Sequence, residues 1–211
     1  LVNAFNMGWQ PYFLEKNFNY QSNIYPRINT IVLSVLGFVW ITLLFWTDEL
    51  IKTQFFGITF FGSEFFDSLL IVPWIGLSYF FYGFYLLQTP GIFLKNRPKY
   101  AAWTRFFGAV TNIGLCFILI PIYGEMGAAY ATCIAFALMA LLMYCINRYL
   151  IEVKLEVRNL TIILLLLIFS YIAFIIYEDS SIVNLTIMCF YVFIIFYYKL
   201  INMKNLHKIF T

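Results

Sequence analysis

The sequence predicts an all-α protein: a polytopic transmembrane helical bundle of six complete spans plus one truncated span. Three observations predict it. Hydrophobic residues make up 63% of the chain and charged residues 11%, with a mean hydropathy of +0.85; soluble domains carry about 25% charged residues. The apolar runs are continuous and close to the ~20 residues a bilayer-crossing helix needs, without the strict alternation of a membrane barrel strand. The few charges are gathered into short loops, and their signs are segregated.

Taken in order, residues 1–14 are too short to span and lack the basic start of a signal peptide. They read as the second half of a transmembrane helix, ending near Pro11, and the chain as a fragment. Residues 15–27 form a polar loop, and 28–47 give an uncharged span. Residues 48–67 form an acidic loop with paired phenylalanines at 55–56, 60–61 and 65–66, which suits the bilayer interface. Residues 68–94 form a third span, interrupted by Pro73, Gly76 and Pro90. A basic cluster, Lys95, Arg97, Lys99 and Arg105, opens the next stretch. It leads into uncharged runs at 106–124 and 126–147, a helical hairpin bent at Pro121 to Gly127. Residues 159–177 and 180–198 form a second hairpin around Glu178 and Asp179.

Loops at alternate membrane faces differ sharply in charge. Segments 15–27, 95–105, 148–158 and 199–208 hold twelve of the thirteen Lys and Arg; only Lys52 lies opposite. The positive-inside rule therefore places 95–105 and the C-terminus in the cytoplasm and 48–67 outside. The net charge of +3 is spread over these loops, and no nucleic-acid partner is expected. Cys116, Cys133, Cys145 and Cys189 fall inside apolar runs without metal-ligand spacing, so neither a metal site, a disulfide scaffold nor a cofactor is expected.

Polar side chains within spans are the candidate functional residues, because hydrocarbon offers them no partner. Asn3, Asn6 and Gln10 share one helical face beside Pro11, which frees a carbonyl one turn earlier. They read as the wall of an aqueous or sugar-filled cavity, against helix–helix hydrogen bonding. Ser78, Tyr82, Tyr85 and Thr89 share a face in the third span, where hydroxyls and rings could contact sugars; each could equally be an interfacial anchor. Arg105, Gly108, Asn112 and Cys116 line one face of the fourth span, and Gly127, Ala131 and Ala135 one face of the fifth. Small residues at that spacing bring helices close, so packing is the expected role, with Asn112 bonded across the hairpin and Arg105 anchoring at the cytoplasmic end. Asn112 is also carried as a candidate path residue. His207 lies among lysines in the tail, where an interfacial role is expected. No span holds paired carboxylates or a nucleophile–base set, so no enzyme is expected.

The segments Lys95-Asn96-Arg97-Pro98-Lys99-Tyr100, Asn112-Ile113-Gly114, Ile120-Pro121-Ile122-Tyr123-Gly124 and Gly127-Ala128-Ala129, followed by Ala131-Thr132, carry a resemblance. So do Pro73-Trp74-Ile75-Gly76 and Gly8-Trp9-Gln10-Pro11. Together they resemble the C-terminal half of the polysaccharide and lipid-linked oligosaccharide flippases, in the multidrug/oligosaccharidyl-lipid/polysaccharide exporter superfamily. The resemblance covers roughly residues 1–150.

It implies that 1–147 is most of the second lobe of a two-lobe transporter, and 148–211 an added C-terminal helix pair with a cytoplasmic tail. It also implies a missing N-terminal lobe and a bacterial inner-membrane location. The implied substrate is a polyprenyl-pyrophosphate-linked oligosaccharide for O-antigen, capsule or exopolysaccharide synthesis. Membrane lipids, and possible contact with polysaccharide polymerase machinery, complete the implied partners. A cation-coupled multidrug exporter is one alternative, though it would favour a mid-span carboxylate. A non-transporting scaffold subunit of a polysaccharide-assembly complex is the other.

Overall fold

The computed structural model describes residues 2–15, 24–52, 54–55, 58–59, 67–151, 155–177 and 181–198. Among these the chain is all-α: α1 (Val2–Glu15), α2 (Ile24–Lys52), α3 (Ile71–Leu94), α4 (Lys99–Tyr123), α5 (Glu125–Ile151), α6 (Val157–Ile176) and α7 (Ser181–Tyr197). A two-residue antiparallel ladder, β1 (Gln54–Phe55) with β2 (Ile58–Thr59), and a 3-10 turn at Asp67–Leu70 are the remaining elements. Among the described residues, four helical stretches are long and apolar enough to cross a membrane: Tyr25–Glu49, Lys99–Tyr123, Glu125–Leu150 and Val157–Ile176. The apolar α7 is shorter, at 17 residues. Lys16, the phenylalanine pairs at 60–61 and 65–66, Glu178, Asp179 and the 199–208 tail with His207 lie outside the described residues.

The helices differ from the uncharged runs at several ends: α4 starts at Lys99, inside the loop expected over 95–105, α5 runs on to Ile151, and the span expected over 68–94 opens as a 3-10 turn at Asp67–Leu70. The helix expected over 28–47 runs from Ile24 to Lys52, because intrahelical bonding satisfies the backbone whether or not the side chains are charged. Asp48 and Glu49 are therefore helical. The hairpin corner is narrower than the stretch from Pro121 to Gly127. α4 continues through Pro121, and Gly124 alone breaks the helix, with φ 59° and ψ −137°, which favours glycine. Gly127 lies inside α5, and its role is close approach: a Cβ there would run into the backbone of Leu119.

The chain divides into two compact units. The first holds residues 1–25 and 74–155; the second holds 26–73 and 156–211. In the first unit, α4 and α5 form a tight antiparallel hairpin. Gly108 faces Met139, Asn112 bonds Thr132, and Leu119 meets Gly127, small or polar contacts spaced along the seam. Ala131 and Ala135, the small residues singled out in the sequence, are fully buried here.

In the second unit, Leu33, Leu36, Ile41 and Phe45 of α2 are buried together with Ile163, Leu166 and Leu167 of α6 and Ile187, Tyr191 and Ile195 of α7. The Tyr191 ring occupies the notch left by Gly37 and donates its hydroxyl to Ser34 O at 3.0 Å. Trp40 Nε1 donates to Pro73 O at 2.7 Å. Ser34, Thr42 and Ser170 turn their hydroxyls back to carbonyls four residues earlier, which removes polar groups from the helix surfaces.

Candidate functional site

Polar side chains inside apolar helices are the groups with chemistry to offer, and the first unit concentrates them. On α1 the buried side is Val2 and Trp9, with Trp9 stacked between Phe5 at 6.0 Å and Tyr25 at 6.4 Å. The predicted polar face flanks that side. Asn3 is exposed, while Asn6 and Gln10 are half-buried. The Asn6 Oδ1 is buried and without a hydrogen-bond partner among the described residues. Pro11 sits inside the helix with its ring exposed, so the fourth carbonyl before it lacks a helical donor.

On α3 the predicted face is drawn inward. Ser78, Tyr85 and Thr89 are buried and Tyr82 half-buried. Ser78 donates to Ile75 O at 2.6 Å, within its own helix. Around Pro90 three successive carbonyls receive side-chain donors. Leu86 O, which Pro90 deprives of its N–H, accepts the Thr89 hydroxyl at 2.8 Å. Leu87 O accepts the Tyr25 hydroxyl at 3.1 Å, and Gln88 O accepts Asn147 Nδ2 at 2.7 Å. Gln88 and Asn147 are wholly buried, and the Oε1 of one and Oδ1 of the other have no partner among the described residues. An unpaired buried acceptor costs about 1–3 kcal/mol, so these oxygens put two costly polar atoms inside the unit.

A ring ladder runs along α3. Tyr79 meets Tyr82 edge-on at 6.3 Å, and Tyr82 stacks on Tyr85 at 6.0 Å and against Phe136 of α5 at 5.0 Å. It ends on a cation. Arg105 of α4 donates Nε to the Tyr85 hydroxyl at 3.1 Å, with its guanidinium carbon 5.9 Å from the ring. Among the described residues no carboxylate pairs with it. The side chain expected to anchor at the membrane end thus also reaches across to α3. Asn112 is half-buried; its amide donates to Thr132 Oγ1 at 3.2 Å, and Cys116 Sγ lies 3.4 Å from its Oδ1.

The first unit therefore gathers Tyr82, Tyr85 and Arg105 in one linked set and Asn112 in another, while Asn3, Asn6 and Gln10 stay on α1. Sequence reasoning missed Gln88, Asn147 and Tyr25. Gln88 lies three residues after Tyr85, inside the span, and the rule that mid-span polar groups are informative would have found it. Asn147 was passed over because it closes an uncharged run beside Arg148. The arrangement offers aromatic surface, amide groups and one cation with donors to spare, which suits a hydroxyl-rich ligand bearing an anionic group.

Compared with known protein families, curated proteins and solved structures, this chain matches none. The flippase resemblance therefore assigns no family.

Proposed function

We propose that this chain is part of a multi-pass inner-membrane transporter that flips a polyprenyl-pyrophosphate-linked oligosaccharide for surface-polysaccharide synthesis. The observation that carries the proposal is the ladder of Tyr79, Tyr82 and Tyr85 ending on Arg105, in the unit that concentrates polar side chains within apolar helices. Rings suit the faces of sugar residues, and a guanidinium suits phosphate oxygens. The residues of the flippase resemblance support the same reading. On it, α3 and α7 span as well, the C-terminus is cytoplasmic, and a partner lobe completes the cavity. The chain works by alternating exposure of that cavity and not by covalent catalysis.

The test measures flipping of a fluorescent polyprenyl-pyrophosphate oligosaccharide in proteoliposomes containing the complete gene product. Tyr82→Leu and the pair Asn6→Leu/Gln10→Leu are expected to lower transport per folded molecule by about tenfold, the scale of one lost aromatic or polar contact in the path. Normal transport per folded molecule in both variants contradicts the proposal.

A second reading, a non-transporting scaffold subunit, is favoured by one set of observations. Asn112 with Thr132, Asn147 with Gln88, and Ser78 with Ile75 are hydrogen bonds closed within the unit, as packing residues would make. A scaffold predicts no flipping in these proteoliposomes, with the same variants changing only the amount of folded protein.

A further inference from the structure

The turn between α3 and α4 is closed by its own backbone. Asn96 takes a left-handed φ of 52°; its N–H bonds Phe93 O and the Arg97 N–H bonds Ile92 O, each at 3.0 Å. This is the Schellman arrangement that ends helices. Tyr100 N–H then bonds Arg97 O at 3.2 Å, and Ala101 N–H bonds Pro98 O at 3.0 Å, which begins α4. The side chains of Lys95, Arg97 and Lys99 have no part in these bonds. All three are exposed, and among the described residues no carboxylate pairs with any of them. Lys99 Nζ stands 5.7 Å over the Tyr100 ring.

One turn further along α4, Trp103, Phe106 and Phe107 lie within 5.9 Å of one another, ring centre to ring centre. All three remain exposed. Glu125, the first residue of α5, lies beyond the far end of α4, a helix about 36 Å long at 1.5 Å per residue. Three cations on a locked turn thus stand beside a collar of exposed rings.

We propose that this turn and its aromatic collar bind the headgroup of an anionic phospholipid. The proposal rests on the membrane reading given under the proposed function. The Arg97 guanidinium can give two parallel N–H donors to a phosphate, and the lysines add compact charge. Tryptophan and phenylalanine suit the glycerol and upper acyl region. Because the backbone already fixes the turn, binding orders only side chains.

The experiment reconstitutes the complete protein in nanodiscs of phosphatidylcholine with graded phosphatidylglycerol and measures the phosphatidylglycerol retained per molecule. Arg97→Gln/Lys99→Gln is compared with Arg148→Gln/Arg158→Gln, which removes equal charge from other exposed positions. The test pair is expected to lower anionic-lipid affinity roughly 25-fold, about fivefold per charge, and the control pair to leave it within about twofold. Lys95→Gln/Lys99→Gln serves if the first pair folds poorly, and melting temperatures verify folding. Equal loss in test and control pairs, or no loss in the test pair, overturns the proposal. Failure to enter phosphatidylcholine nanodiscs at all contradicts the membrane reading itself. Insertion without phosphatidylglycerol preference sinks this inference alone.

Discussion

α3 and α4 are consecutive helices of similar length, yet they invert each other. In α3 the stretch from Tyr85 to Ile92 is buried throughout, Gln88 and Thr89 included. In α4 the buried residues are Ala101, Thr104 and Gly108, while Trp103, Phe106, Phe107, Ile113 and Phe117 are exposed. In α4 small residues lie inside and large apolar ones outside. Water as solvent would penalise that arrangement at about 25 cal/mol for each Å2 of apolar surface; lipid would not. The lesson is that burial along α4 follows residue size more than hydrophobicity, which suits a bilayer surrounding that helix.

The comparison breaks most readily at Gly127, where α4 and α5 come closest. Gly127→Ala places a methyl against the backbone of Leu119, which cannot yield as a side-chain tip could. The expected cost is about 3 kcal/mol, the upper range for overpacking. It should appear in thermal unfolding in detergent as a large fall in midpoint, and an unchanged midpoint would refute the close approach.

The polar interior of α3 is tested next. Asn147→Leu removes the donor to Gln88 O and leaves that carbonyl buried. A loss of about 1–2 kcal/mol is expected, between the soluble and membrane scales for such bonds. Stability equal to the parent would mean that the Pro90 region holds itself without α5.

The smallest effect belongs to the exposed surface of α4. Nothing lies within 4 Å of a Cβ built on Gly114. Gly114→Ala should therefore stabilise by about 0.5–1 kcal/mol through helix propensity and a less flexible unfolded chain. Destabilisation there would show that this surface is occupied.

Helix identity was legible in the sequence because uncharged runs of bilayer length leave one comfortable structure. Corners were less legible. Pro121 looked like a stop, but a proline in the last turn sacrifices one hydrogen bond and lets α4 continue to Tyr123. Gly127 looked like part of the turn, and its real use, contact with Leu119, depends on a neighbour the sequence does not display. The same limit applies at the site. The face of Ser78, Tyr82, Tyr85 and Thr89 could be read from spacing, whereas the links of α3 to Arg105, Tyr25 and Asn147, through Tyr85, Leu87 O and Gln88 O, span 20, 62 and 59 residues of chain. Those pairings come from packing, which periodicity does not encode.

The central claim is that the apolar exterior of α4 faces away from water while its two ends reach the aqueous phases. A spin label at Phe117→Cys, with Cys116, Cys133, Cys145 and Cys189 replaced, measures it directly in nanodiscs. Asn96→Cys, in the turn that precedes α4, gives the aqueous reference. Relaxation by lipid-soluble oxygen is expected to dominate at Phe117, and relaxation by a water-soluble nickel complex at Asn96. A nickel effect at Phe117 as strong as that at Asn96 would contradict the account.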